Sequence, residues 1–163
     1  MKAFCFKSIL RLIFIVFLLF ATAYYFYPLE KLPPNARVDK LVLFKSKREM
    51  QAYSNGVLLK TYTVALGSVP VGPKEKSGDH KTPEGTFFLR KHNNSQYYKA
   101  LDLSYNNYQN NIEIHGMKPT YEWIGKFQRF YDWTDGCIAL TNPEIEELYA
   151  AVVPTAQIEI KPW

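Results

Sequence analysis

Residues 38–66 have the sequence VDKLVLFKSKREMQAYSNGVLLKTYTVAL, and three stretches of it predict β-strands. Val38–Lys45 and Val57–Leu66 are rich in apolar and β-branched residues, and Met50–Tyr53 is a shorter candidate between them. Asn55-Gly56 precedes the third stretch and is a strong signal for a type I′ hairpin turn. We therefore predict a fold built mainly of β-structure.

The chain beyond this hairpin predicts more strands after a long irregular loop. The loop is Gly67–Gly85, which is dense in Gly, Pro and charged residues. Ile112–His115 alternates apolar and polar residues and ends at Gly116, which places His115 at the end of a strand. Asn93–Asn111 is polar and aromatic, with only a weak strand pattern. The other predicted strands are Thr86–Leu89 and Gln157–Lys161.

Two short helices complete the predicted domain. Thr120–Phe130 has apolar residues at helical spacing, and we expect them to pack into the core. We also predict that Trp123–Trp133 acts as a lid or wall over the cleft, with a rigid packed insertion as the alternative. Asn142-Pro143-Glu144 predicts the start of the second helix, with Asn142 as N-cap and an end near Val152. The apolar set of the first helix is Trp123, Ile124, Phe127 and Phe130.

Residues 1–27 predict a signal peptide or a signal-anchor helix. Basic residues precede the apolar run Leu12–Tyr27, and Ala21-Thr22-Ala23 resembles a signal-peptidase site. Tyr24–Tyr27 continues the apolar stretch as an interfacial aromatic belt, which favours a retained anchor in the inner membrane. Either alternative places the body of the protein outside the cytoplasm. Residues 28–37 then form a linker, and residues 38–163 form the domain.

The charge of the chain argues against a nucleic-acid partner. The formal net charge of +5 comes largely from Lys2, Lys7 and Arg11, and without these three the chain has 17 basic against 15 acidic residues. No basic stripe or nucleic-acid-binding motif accompanies them.

Cys137 is the only cysteine beyond the first 27 residues, and its neighbours indicate a reactive thiol. His115-Gly116 lies 22 residues before it, and the string Thr134–Ile138 surrounds it. An imidazole beside a thiol acts as its base and produces the attacking thiolate. We therefore predict Cys137 as nucleophile and His115 as proton acceptor and donor.

Glycines at both motifs fit this chemistry. Gly116 would let the backbone turn sharply beside the base, and Gly136 would allow an unusual backbone angle before the nucleophile. Such a turn can aim the backbone N–H groups of Gly136 and Cys137 at one point and form an oxyanion hole.

These motifs resemble the signature of the YkuD-type L,D-transpeptidase family, a His-Gly pair followed by Ser/Thr-x-Gly-Cys-Ile/Val. Thr82-Pro83-Glu84-Gly85-Thr86-Phe87 is similar to the family's upstream element, and Asp132–Ala139 resembles the YafK-like branch. The resemblance covers Val38–Ile160. It implies a mostly-β sandwich with one or two short helices, no metal and no cofactor.

The same resemblance implies an enzyme that acts on the stem peptide of peptidoglycan. Cys137 would form a thioester at an L-to-D bond, between a diamino acid and D-Ala or another amine, and transfer or hydrolysis would follow. Gly116, Trp133, Thr134 and Asp135 are the candidate substrate-binding residues. The partners are then the stem peptide and the membrane, with a wall-linked protein as a further candidate.

One departure from the family pattern concerns the residue after the motif. Many members have Arg there, and this chain has Ala139. Without that guanidinium a substrate carboxylate is held differently. We therefore expect water to resolve the thioester at least as readily as an amine.

Three alternatives differ in chemical class. A sortase-like transpeptidase would need a Thr-Leu-x-Thr-Cys motif and an Arg after the cysteine, and neither is present. A zinc peptidase built on His80, His92 and Cys137 lacks the usual ligand spacing, and the two histidines are predicted loop residues. A non-catalytic wall-binding module has no need for a lone oxidisable thiol beside a histidine motif.

Overall fold

The structure is a computed structural model that describes residues 2–92, 95–105 and 108–163. Eight strands dominate, so the prediction of a mostly-β fold is confirmed. Two α-helices and two 3₁₀ segments accompany them: α1 (Lys2–Phe26), a 3₁₀ turn (Lys45–Lys47), a 3₁₀ segment (Pro119–Phe130) and α2 (Asn142–Ala151). The strands are β1 (Val38–Phe44), β2 (Glu49–Ser54), β3 (Val57–Thr63), β4 (Gly85–His92), β5 (Ala100–Tyr105), β6 (Tyr108–His115), β7 (Ile138–Ala139) and β8 (Val152–Lys161).

All eight strands form one curled sheet with the order β3-β2-β1-β8-β4-β5-β6-β7. The chain that follows β3 reaches β7 at the opposite end of this order, because Ala65 and Ala139 exchange two backbone hydrogen bonds of 3.1 and 2.8 Å. Thr134 donates its N–H to Leu66 O at 3.1 Å and extends this contact. The curl therefore brings the two ends of the sheet together next to β7.

The core is built from side chains of the strands together with Ile145 and Leu148 of α2. Alternate residues of the strands are fully buried, as Leu41 and Leu43 are in β1 and Ile158 and Ile160 in β8. Each such side chain contributes roughly 1.5–3 kcal/mol through burial. This apolar interior makes the neighbouring sheet a rigid support for a site.

The hairpin between β2 and β3 has the turn that the sequence predicts. Asn55 and Gly56 both have positive φ, 48° and 80°, as a type I′ turn requires. The Asn55 N–H also donates to Asp39 Oδ2 at 2.6 Å. The strong local preference of Asn-Gly fixes this part of the register.

The helix α2 begins with Thr141 as N-cap, so the prediction of Asn142 as the cap is wrong by one residue. Thr141 and Glu144 form a capping box, in which each side chain accepts a hydrogen bond from the backbone N–H of the other residue. The last strand also begins earlier than predicted, directly after the helix, because an irregularity in its pairing with β1 accommodates Pro154. The side chain of Asn142 is thereby free to accept a hydrogen bond from the Met117 N–H, two residues after His115.

The segment Pro119–Phe130 differs from the predicted amphipathic helix. It is a 3₁₀ segment in two parts, broken at Gly125, where φ is 52°. Its buried residues are Lys126 and Gln128, whereas Trp123 and Phe130 are exposed. The expectation that the apolar set packs into the core is wrong: Trp123 and Phe130 are exposed, Ile124 and Phe127 are half-buried, and none of the four belongs to the core cluster.

The N-terminal residues form the apolar helix α1. Phe6–Phe26 is long and apolar enough to cross a membrane, with a hydropathy of 2.2 and none of its most apolar stretch buried. Within the irregular stretch predicted for Asn93–Asn111, residues 93, 94, 106 and 107 lie outside the described residues. The described part contains β5 and the first half of β6.

Candidate active site

Cys137 lies where β7 begins, beside β6. The two strands are parallel with Ile114 opposite Ile138, and the Glu113 N–H points at the Cys137 Sγ at 3.4 Å. Side chains alternate between the faces of a sheet. Cys137 therefore lies opposite Glu113, two residues before His115 on β6, and the topology brings the two predicted catalytic residues to neighbouring strands.

The imidazole of His115 is fully buried and held in one orientation. Its Nδ1 lies 2.7 Å from Gly116 O, and because a carbonyl only accepts, Nδ1 carries the proton. Nε2 is then an acceptor, and it has no hydrogen-bond partner among the described residues. No candidate for the group that orients His115 could be predicted from the sequence, and in the structure this group is the Gly116 carbonyl.

Aromatic rings enclose the same imidazole. Tyr97 stacks on it with a centroid distance of 3.5 Å and an interplanar angle of 10°. Trp133 meets it edge-on at 5.9 Å and donates its Nε1–H to Gln128 Oε1 at 2.9 Å. Burial raises the pKa of Tyr97, and the nearby Cys137 adds to this effect. Tyr97 is therefore adjacent to both members of the pair.

The pKa values of His115 and Cys137 do not favour a preformed thiolate–imidazolium pair. Burial lowers the pKa of His115 to about 4 and raises the pKa of Cys137 to about 11. Near neutral pH the resting site therefore holds a neutral imidazole and a neutral thiol. Such a neutral pair is the resting state expected where a histidine acts as a general base, and not where it is the permanent counter-ion of a thiolate.

Gly136 has a backbone that other residues rarely adopt, as the sequence predicted. Its φ is 127°, and a Cβ at this position would lie 2.6 Å from Lys81 O. Gly67 is packed as closely against the loop that contains His80 and Lys81, because a Cβ at Gly67 would lie 2.2 Å from His80 O. Thr82 is buried in the loop and accepts the Gly67 N–H at 3.0 Å. The Thr-Pro-Glu-Gly element thus supports the turn that presents Cys137.

We expect Gly136→Ala to destabilise the domain more than Gly56→Ala does. Both glycines have positive φ, which costs roughly 1–2 kcal/mol for an L-residue. Only Gly136 has backbone atoms in the way, and overpacking adds roughly 1–3 kcal/mol, whereas nothing lies within 4 Å of a Cβ at Gly56. Urea unfolding of both variants measures the difference, and equal midpoints would contradict the role given to the loop.

Thr134 organises the backbone around Cys137. Its Oγ1 donates to Cys137 O at 2.7 Å and accepts the Gly136 N–H at 3.2 Å. Of the two donors predicted for an oxyanion hole, Gly136 is thus already engaged with a side chain. The Cys137 N–H is therefore the remaining predicted donor for an oxyanion hole.

A cavity of about 280 Å³ opens beside Cys137. Three carboxylates line it, those of Asp102, Glu113 and Asp135, together with Tyr97 and His92. The His92 Nδ1 lies 2.7 Å from Glu113 Oε1 and 2.9 Å from Asp102 Oδ1. The hydrogen bond to Glu113 raises the pKa of His92, so this ring is a cation over a wider pH range, and the carboxylates still outnumber it.

His92 and its two carboxylate partners, Asp102 and Glu113, form a cluster that has the composition of a metal site. The ligand atoms of His92, Asp102 and Glu113 lie within 4.8 Å of one another. The single Nδ1 of the ring already contacts both carboxylates. His92 ends strand β4, so its predicted place in a loop is wrong, whereas His80 does lie in the loop and pairs with Asp135 at 2.8 Å.

The four predicted substrate-binding residues have different surroundings. Asp135 is exposed and lines the cavity beside Cys137, and Trp133 packs on His115. Thr134 is buried and fully used by its backbone partners. Gly116 is also buried, and its φ is not positive; a Cβ there would lie 2.5 Å from Asn142 Oδ1. Close packing against α2, and not a sharp turn, is therefore what requires glycine at 116.

Sequence reasoning missed the other residues around the cavity. Glu113 alternates with His115 along β6, a pattern that could have identified it. Tyr97 lies in an irregular segment that has no periodic signal. A larger cavity, of about 420 Å³, lies between α1 and the domain, and neither Cys137 nor His115 lines it.

Residues 39–160 match the family model of the YkuD L,D-transpeptidase catalytic domain. The chain is also 30% identical over 137 residues to YafK of Escherichia coli K12. YafK is named as an L,D-transpeptidase whose activity is not established. That match covers 74% of this chain and 52% of the relative.

Solved structures with this fold include Pgp2 of Campylobacter jejuni, described as a helical cell shape determining protein. It has a TM-score of 0.59 and 25% identity, covering 78% of this chain and 48% of that one. An L,D-transpeptidase of Mycobacterium smegmatis has a TM-score of 0.53 and 20% identity, covering 77% and 59%. This likeness confirms the predicted fold class.

The chain belongs to the YkuD family of L,D-transpeptidase catalytic domains, a family of peptidoglycan-modifying enzymes. It spans about half the length of the curated relative that it matches.

Proposed function

We propose that this protein cuts or transfers peptide bonds in the stem peptide of peptidoglycan through a thioester on Cys137. One observation carries the proposal: the buried Nε2 of His115 is held as an acceptor, without a partner among the described residues, next to the strand that begins after Cys137. A neutral base with a free lone pair is what a neutral thiol needs in order to react.

The steps follow from these atoms. Sγ of Cys137 attacks the carbonyl carbon at the L-centre of a diamino acid, and Nε2 of His115 takes the thiol proton. The Cys137 N–H stabilises the oxyanion. The C–N bond then breaks, the amine leaves with the proton from Nε2, and a thioester remains. Water or an amine attacks this thioester, His115 accepts its proton, and the thiol is restored.

The surroundings of Cys137 favour water in the second half of the reaction. Ala139, where many relatives have Arg, is fully buried, and its backbone pairs with Ala65. Lys126 and Arg129 are the candidates for replacing that Arg in the segment before the motif, but Lys126 donates to the carbonyls of Tyr24 and Tyr27, and Arg129 pairs with Glu144 at 2.5 Å. A free D-amino acid would also bring its carboxylate toward the carboxylates of the cavity.

The proposed function is tested by incubating the chain with purified wall fragments and reading the products by mass. We expect loss of a residue from the stem peptide, or its exchange, at the bond that follows the diamino acid. Unchanged fragments at enzyme concentrations that give full thiol labelling would contradict the proposal and favour a wall-binding module.

We expect hydrolysis to match or exceed exchange when both are possible. A stem tetrapeptide is supplied with a large excess of a D-amino acid, and trimmed and exchanged products are counted. Transfer needs an acceptor held at high effective concentration, because water is present at about 55 M. Cys137→Ala gives the uncatalysed background. A large majority of exchanged product would show that the leaning toward hydrolysis is wrong.

The place of action that we propose is extracytoplasmic, at the inner membrane. The apolar helix α1 with its basic start supports export. Peptidoglycan stem peptides are exposed on that side, and a wall-linked protein amine is a further candidate for the group released.

A further inference from the structure

The C-terminal end of α1 is bonded to the 3₁₀ segment of the domain. The buried Lys126 donates from Nζ to Tyr24 O at 2.7 Å and to Tyr27 O as well. A helix leaves its last carbonyls without partners inside the helix, and a cation at this end is favourable. Lys126 therefore acts as a C-terminal cap for a helix about 100 residues away in sequence.

Aromatic contacts strengthen the same joint. Tyr24 and Tyr25 approach Phe127 with ring centroids 5.9 and 5.6 Å apart, and the Tyr25 hydroxyl donates to Trp123 O at 3.0 Å. Gly125 leaves room for this contact, because a Cβ there would lie 2.9 Å from the Tyr25 ring. Phe127 of the 3₁₀ segment thus packs against the last turn of α1.

The chain after α1 is also tied down, although the sequence predicts a linker there. Lys60 Nζ donates to Glu30 O and to Glu147, and Glu147 Oε2 accepts the Leu32 N–H at 2.9 Å. Lys60 is buried. These bonds fix the domain relative to α1 instead of leaving it on a free tether.

An exposed aromatic surface remains beside this joint. We call it the aromatic face; Trp123 and Phe130 are 69% and 68% exposed in it. Large exposed apolar patches mark interaction sites. The aromatic face continues the exposed apolar surface of α1 at the last turn of that helix. Its members are Tyr121, Trp123, Phe130 and Tyr131.

The length of α1 sets the depth of this face. Phe6–Phe26 has 21 residues, which is about 31 Å of helix, close to the roughly 30 Å core of a bilayer. Tyr24 and Tyr25 in its last turn then lie at the level of the headgroups, where Trp and Tyr are enriched. Trp123, bonded to Tyr25 through its carbonyl, lies at the same level.

We propose that α1 is retained and crosses the membrane, and that the aromatic face rests on the outer surface of that bilayer. The occupant of this face is thus the headgroup region of the lipids around α1. This inference goes beyond the proposed chemistry and does not depend on it. It places the Cys137 cavity at a fixed distance from the membrane, because the 3₁₀ segment also reaches the site through Gln128 and Trp133.

The experiment uses the full chain reconstituted into phosphatidylcholine vesicles, with or without lipid brominated near the headgroup end of the acyl chains. Bromine quenches tryptophan fluorescence only at close range, and the three tryptophans of the chain are Trp123, Trp133 and Trp163. We expect brominated lipid to quench the wild-type protein, and Trp123→Phe to reduce the quenched intensity at least twofold. Trp163→Phe is the matched control, because Trp163 is 44% exposed and outside the aromatic face.

Equal quenched intensity in the wild type and Trp123→Phe would overturn the proposal. An equal loss in both variants would overturn it too, because the contact would then not be specific to the face. Retention of α1 is checked separately on the protein exported by cells. A mature chain that starts after residue 23, and that does not bind the vesicles, would overturn the retained anchor. Turnover of wall fragments is measured separately, so failure of the chemistry leaves this result unaffected.

Discussion

Cys137→Ala is expected to reduce turnover of wall fragments to less than a tenth of the wild-type rate, with the fold preserved. The substitution removes the Sγ atom that would form the proposed thioester. It also removes the contact with the Glu113 N–H, which at 3.4 Å to a partly buried sulfur contributes at most about 1 kcal/mol to stability. Product mass analysis measures the rate, and urea unfolding confirms that the domain remains folded.

Cys5→Ala is the matched control for this substitution, because it removes the other thiol of the chain. It should leave turnover unchanged. A folded Cys137→Ala variant that retains a tenth or more of the activity would show that another group is the nucleophile.

His115→Ala is expected to lower kcat/KM on the order of 10²-fold or more, the usual range for loss of a general base. Without Nε2 the thiol has no acceptor for its proton, and the pKa of Cys137, raised to about 11 by burial, leaves little thiolate at neutral pH. His115→Gln is a useful companion, because its amide has the polarity of the ring but cannot take the proton. A loss of less than tenfold in both variants would contradict the role.

The pH dependence separates a base from a structural histidine. His115 acts when unprotonated and burial lowers its pKa to about 4, so wild-type kcat/KM should be high above that pH and fall as the pH drops through about 4. An unperturbed histidine would place this fall near 6.5. In His115→Ala the acid limb should vanish, and the rate should rise about tenfold per pH unit toward the pKa of Cys137, because hydroxide then has to form the thiolate. Parallel profiles for both proteins would contradict the mechanism.

Features with strong local causes were predictable from the sequence. Asn55-Gly56 determines its turn through the positive φ of two consecutive residues, and the alternation of Ile112–His115 reflects one strand with two different faces. The cap of α2 was also encoded, since Thr141 and Glu144 have the spacing of a capping box. Its prediction failed because Asn142, an equally good cap by residue type, stands next to Thr141.

Features that depend on distant partners were not predictable. The apolar set of Pro119–Phe130 has helical spacing, but α1 contacts it from about 100 residues away and leaves part of it exposed. At the site, Cys137 and His115 could be chosen from their motifs. The orienting group of His115 is a backbone carbonyl, which leaves no trace in residue identity, and Tyr97 comes from an irregular segment. The low pKa of His115 follows from burial by these neighbours.

The central claim is a covalent thioester on Cys137, and the mass of the intact protein during turnover tests it most directly. With a stem tetrapeptide ending in D-Ala, the account predicts a transient mass increase equal to the tetrapeptide minus D-alanine. Peptide mapping should place it on Cys137, and it should be absent from Cys137→Ala. Release of D-alanine at full rate by a protein that never gains this mass, and equally by Cys137→Ala, would contradict the account.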